Sequence, residues 1–293
     1  MFDTSLNHFK SVFAHNFFIA PADQNYFLAR FAKIYGMNEE FWWQSLQAIE
    51  KLLKAGLVLN GIPVKNKYGH NIEKLWSKHI EIFGDLAVNN LSKPEGLDDR
   101  FWNEKPLKDF ISRVNRMGHP DSRYGLVSYS NSKDDIFKLD QLFSEVRRRT
   151  IGLNWIVGED WEDKCLSAFE GQPYRNVIDQ MPSYQIRAIK VPDGNFETVG
   201  AELKDILYSW NFAFQRTAID LEKKAPPSVA PVIGGFGNSY LHLLCESLNK
   251  PPITELAEKQ VMWLLENVLV GRNVEAKFRK ILEAKGESPN PEK

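Results

Sequence analysis

Residues 41–76 read FWWQSLQAIEKLLKAGLVLNGIPVKNKYGHNIEKLW, and the apolar spacing of this stretch decides the fold class. Trp42, Leu46, Ile49, Leu53 and Leu57 recur every three or four residues, the stripe of an α-helix laid against a core. Asn38 is placed to cap its start, with Glu39 and Glu40 where the helix dipole favours negative charge. Asn60-Gly61 and then Pro63 stop it. A second stripe runs through Ile72, Leu75, His79 and Ile82, which predicts a helical hairpin whose connecting loop carries Lys65, Lys67, Tyr68 and His70.

The same periodicity continues on either side. Phe27, Leu28, Phe31, Ile34 and Tyr35 predict a helix ahead of the hairpin, with Phe27 and Leu28 unable to share its stripe centre. Pro106 opens a helix with Leu107, Phe110, Ile111 and Val114 inward, ended by Gly118 and Pro120. Ile136, Leu139, Phe143, Val146, Thr150 and Leu153 alternate steps of three and four, the mark of a long helix. These elements make a mainly α up-and-down bundle over residues 1–160. Residues 161–286 read as a mostly helical extension. It holds a small β-hairpin, with Tyr184, Ile186 and Ala188 alternating ahead of a Pro192-Asp193-Gly194-Asn195 turn. Helices follow from Val199 to Leu221, near Ser239–Leu248, Thr254–Val268 and Val274–Ala284, and the charged tail 287–293 reads as disordered.

Composition narrows the function classes. Lys+Arg 37 against Asp+Glu 38 gives a net charge of -1, so any polyanion site must be local. Cys165 and Cys245 lie far apart, with no CxxC and no companion histidine, which reads as buried thiols rather than a zinc site or a disulfide framework. No metal or cofactor is expected. The N-terminus lacks the basic start and unbroken apolar run of a secretory signal, and no apolar stretch reaches membrane-spanning length, so a cytoplasmic chain without a membrane is expected. Gly234-Gly235-Phe236-Gly237 lacks the Lys-Ser/Thr of a phosphate loop and reads as a connection.

The order of an aromatic-rich helix start, IEKLLKA, LNG and YGHNIEKL resembles the HEPN helical domain superfamily of prokaryotic toxin, defence and RNA-processing proteins, which also has nucleotide-binding members. The resemblance extends into Asp121-Ser122-Arg123-Tyr124-Gly125 and the helix around Leu139–Arg149, about the first half of the chain. It implies a nucleotide- or RNA-interacting module in defence or stress regulation, and a homodimer. Two alternatives stand beside it, a metal-independent ribonuclease and a structural protein that binds a protein partner.

Catalytic members of that superfamily use an arginine and a histidine a few residues apart, matched here by Arg113 and His119 in RVNRMGH. The arginine would stabilise charge on the phosphate and the histidine would move a proton. The remaining anion-binding candidates are Arg147-Arg148-Arg149, together with Arg116 and Arg123 should the helices pack side by side, and the loop residues Lys65, Lys67 and His70. For the arginines structural salt bridging accounts for the pattern equally well, whereas a helix cap for His70 and a solvated face for the lysines are the ordinary readings. His79 sits on an apolar stripe and reads as a core histidine.

Overall fold

The computed structural model describes residues 6–87, 89–94, 97–124, 128, 130–161, 164–180, 240–248 and 254–286. Over these residues the chain is mainly helical, and extended pairing is confined to isolated bridges such as Asn90 with Pro106. The hairpin predicted around residues 184–199, the helix predicted to Leu221, the glycine run at 234–237 and the tail 287–293 lie outside the described residues.

The chain begins with α1 (Leu6–Ala14) and α2 (Ala20–Ile34), joined without a break by a π-helical turn, His15–Ile19. Pro21 has no N–H to give, and the wider turn re-routes the ladder so that Ala20 N–H bonds to His15 O. Next comes α3 (Asn38–Leu59), the axis of the molecule, which packs against α2, α4 (Ile72–Phe83), α5 (Leu107–Met117) and α6 (Asp135–Arg147). Phe41, Trp42, Leu46, Ile49, Leu52, Leu53 and Leu57 are all fully buried, so α3 is apolar nearly all round rather than along one stripe. Lys51 and Lys54, on its least covered side, are half-buried.

Ends and caps follow local chemistry. Asn60 terminates α3: its amide donates to Gly56 O and Ile151 O and its side-chain oxygen accepts from Leu153 N, while Gly61 takes φ +79°. Asn38 makes no cap, because it lies inside the first turn and Met37 holds the cap position. Asn71, not His70, caps α4 by accepting from Lys74 N at 3.0 Å, and Asn115 of α5 accepts from Ile72 N in the same turn.

The hairpin geometry needs correcting. The 60–71 loop doubles back along α3, with Gly69 O accepting from Lys54 Nζ and His70 meeting Glu50. A Cβ on Gly56 would lie 3.7 Å from His79, so α4 starts beside Glu50 and ascends in the same sense as α3. The face of α2 also differs from expectation. Its buried side carries Ala22, Asp23, Tyr26, Ala29 and Arg30, while Leu28, Phe31 and Tyr35 are each more than 40 % exposed. The long helix predicted to Leu153 stops at Arg147; Thr150 and Leu153 are buried in the turns that follow.

The remaining helices are α7 (Tyr240–Leu248), α8 (Glu255–Asn267, capped by Thr254) and α9 (Arg272–Gly286). Trp263 of α8 packs edge-on to Phe9 and Phe13 of α1, and Asn267 O accepts from Val64 N and Lys65 N, so α8 shares the core of the first half. Among the described residues no helix is long and apolar enough to cross a membrane.

Candidate functional site

A polar seam runs through the α2–α6 contact. The antiparallel helices pair Asp23 with Arg147, Arg30 with Asp140, and Lys33 with Asp135. Positions 23, 26, 30 and 33 fall on one face of α2 by the 3-4-3 spacing that otherwise marks apolar stripes. Asp140 is fully buried; its Oδ1 accepts from Tyr26 Oη at 2.5 Å and its Oδ2 from Arg30, and Tyr26 stacks on Phe143 at 4.0 Å. Burial pushes the Asp140 carboxyl up, and the Arg30 guanidinium partly opposes this. The seam holds two helices in register, and at one end its Asp135 lines a cavity beside α5.

The arginine cluster is taken up by ion pairs, one of them in this seam. Arg147 lies on Asp23, Arg148 bonds to Asp179 and Ile178 O, and Arg149, 3 % exposed, bonds to Glu145 and Leu86 O. Arg148 and Arg149 also share Glu145, so each of the three arginines is already paired and no common anion surface results. In the 60–71 loop, Lys65 is held by Glu275 and Leu265 O, His70 is 63 % exposed against Glu50, and Lys67 is exposed. Arg123 lies in the 3-10 turn Pro120–Tyr124, and its side chain is outside the described residues.

Arg113 and His119 are not brought together. The Arg113 guanidinium rests 5.0 Å over the Trp42 ring and donates to Ser130 O and Asp135. His119 lies beyond Gly118, 53 % exposed, with Nδ1 3.2 Å from Asp121. Gly118 is where α5 meets α3: a Cβ there would sit 2.5 Å from Leu46 Cβ and from Trp42 O.

The arrangement that can take a ligand is a cleft along α5. One cavity, about 430 Å³, lies between α5 and the start of α6 and is lined by Lys105, Asp109, Arg113, Arg116, Asp134 and Lys138 among others. A second, about 540 Å³, lies between α4 and α5 and is lined by Trp76, Ile80, Leu107 and Ile111, with Asn89 at its edge. Glu73 and Ser112 line both. At the base of the charged cavity the ions are already matched. Asp134 Oδ2 accepts from Lys138 and Asn103 N, and Asp135 accepts from Lys33 and Arg113. Burial would raise the Asp134 carboxyl, but Lys138, Ser132 and Asn103 N outweigh it and hold it below the usual carboxylate range. Lys105 and Arg116 on the rim are exposed and enter no ion pair among the described residues. Arg116 was legible as a candidate; Lys105, Glu73 and Trp76 were not, because nothing in the sequence announces that three separate segments converge.

His79 is a different kind of group. Its ring is buried between Trp76 and Phe83, neither nitrogen has a hydrogen-bond partner, and burial together with the Arg149 charge lowers its pKa to about 3. The unfolded chain takes up a proton here near pH 6.5 whereas the folded chain does not. This histidine's contribution is therefore complete above pH 6.5 and declines by about 1.4 kcal/mol per unit from there toward pH 3. Denaturant melts of wild type and His79→Leu should diverge across that window, the variant losing less stability as pH falls; parallel profiles would contradict the neutral buried ring.

No protein family, no curated protein and no solved structure matches this chain.

Proposed function

We propose that the chain is a helical ligand-binding module of the nucleotide- or RNA-interacting kind that its HEPN resemblance implies, with its site in the α5 cleft. One observation carries the reading: Lys105 and Arg116 stand unpaired on the rim of a cavity whose deeper charges are already neutralised. Each stands near one end of α5, and a phosphate arriving at either gains a charge-assisted contact without breaking an existing pair. The ribonuclease alternative is weaker, because His119 lines neither cavity and Arg113 is occupied.

The test is equilibrium binding of inorganic pyrophosphate and of a short single-stranded RNA at two salt concentrations. Arg116→Ala with Lys105→Ala should weaken wild-type binding by at least about tenfold, the value of one charge-assisted contact. Unchanged affinity, or no wild-type binding, sinks the reading.

A second observation bears on assembly. Gln24, Leu28, Phe31 and Tyr35 follow a 4-3-4 spacing on the open side of α2, and Met37 extends the patch. None carries a charge, so two copies can face one another there without repulsion, and we assign the homodimer expected from the resemblance to this face. Sedimentation velocity should show a concentration-dependent dimer that Phe31→Asp abolishes; a monomer throughout would remove the assignment.

A further inference from the structure

A third cavity, about 310 Å³, shares no lining residue with the α5 cleft, and we infer that it is a separate binding site for an aliphatic monocarboxylate, a small anion with one hydrocarbon tail. Four segments meet there: the π-helical turn, α3, the 60–71 loop and the residues just after α8. Buried Phe18, Val64 and Val268 make the floor, while half-buried Phe17 and exposed Leu269 carry the apolar surface to the mouth. Successive residues of a regular α-helix point about 100° apart. The widened turn nevertheless brings both Phe17 and Phe18 to this cavity, their rings edge to face at 5.0 Å. The loop contributes Asn66, which among the described residues is the one non-glycine at positive φ. Two departures from regular backbone and a leucine 56 % exposed converge on one small hollow, and such departures cluster at ligand sites.

Lys54 decides the head group. It is the charged side chain of the lining, and among the described residues no carboxylate lines the cavity. Its ammonium has three N–H bonds and uses two, on Glu50 Oε1 at 2.6 Å and Gly69 O at 2.9 Å, which fix its position and leave one donor. The Asn66 amide at the mouth can supply a second. Buried Glu50 offsets only one positive charge. Lys51, within electrostatic reach of both Glu50 and Lys54, bonds to the neutral Asn25 and Gln47, and exposed Lys67 in the loop adds to the same sign. Two donors and a local excess of positive charge suit the two oxygens of a carboxylate. A phosphate monoester, at about −1.5 to −2, brings a third oxygen and more charge than these groups meet. The volume lies at the lower end of the range for small-molecule sites, which admits one tail rather than a two-chain lipid.

The experiment is titration calorimetry of the full chain with octanoate, octanol and acetate, repeated on Lys54→Met and Leu269→Asp. Lys54→Met keeps the apolar stem and removes the charge, and Glu50 retains His70 as a partner. Leu269→Asp sets a repelling carboxylate at the exposed mouth and leaves the floor intact, so it decides the matter even should Lys54→Met fail to fold. Circular dichroism melts check the folding of both. The expected result is that octanoate binds at least tenfold tighter than octanol or acetate, and that either substitution removes its advantage over octanol. Equal binding of octanoate and octanol to the wild-type chain would overturn the inference, since Lys54 would then contribute nothing. Octanoate affinity that survives Leu269→Asp would place the ligand elsewhere and also overturn it, as would the absence of octanoate binding.

Discussion

Asp140→Ala should cost about 3–5 kcal/mol of folding stability, because it removes the buried carboxylate to which both Arg30 and the Tyr26 hydroxyl donate. Arg30 is 4 % exposed and donates to Asp140 Oδ2 and to the Tyr26 hydroxyl. The cost comes from the uncompensated charge, not from the intrinsic worth of the pair. That distinction makes a second measurement decisive: Arg30→Met combined with Asp140→Leu should recover most of the loss, since apolar side chains of similar size can replace a buried pair at little cost or with gain. Guanidinium unfolding followed by circular dichroism would measure both variants. If the single and double variants are equally destabilised, the seam acts through packing of Tyr26 on Phe143 rather than through charge.

How much of this was readable in advance depends on whether the partners were local. The end of α3 at Asn60-Gly61, the inward face of α5 and the Thr254 cap of α8 follow from residues within a few positions of one another. The face of α2 was misread because the helix reverses the usual assignment. It buries Asp23 and Arg30, whose partners lie more than a hundred residues away, and exposes Leu28 and Phe31. A stripe count assumes that apolar side chains point inward, and no local signal marks the exception. For the arginine cluster the sequence left binding and salt bridging equally open, because two of its partners, Asp23 on α2 and the carbonyl of Leu86, could not be placed without the fold. At the cleft Arg113 and Arg116 of α5 were legible as candidates, but the second lobe is lined by Trp76, Ser77 and Ile80 of α4, which lie off the stripe read from the sequence, and by Leu107 and Ile111, which the sequence showed only as the inward face of α5.

Trp42→Ala should cost about 3–5 kcal/mol, the range for emptying a large aromatic site in a core that cannot fully collapse. Trp42 has no solvent exposure, lies against Phe41 and Phe110, and has its own carbonyl pressed against Gly118, so the α3–α5 contact is built on it. Its indole N–H has no hydrogen-bond partner, which means the ring stabilises through packing and through the Arg113 guanidinium over its face. Trp42→Phe should therefore be much milder than the alanine variant, since it keeps an aromatic face for Arg113 and removes an unsatisfied buried donor. The two variants also separate stability from binding. Arg113 lines the charged lobe of the cleft, and loss of its aromatic support should loosen the rim beside Arg116. Trp42→Ala should then lose pyrophosphate affinity even under conditions where it remains folded, whereas Trp42→Phe should retain it. Equal stability of the alanine and phenylalanine variants in chemical denaturation would show that the aromatic face is not what holds α5 on α3.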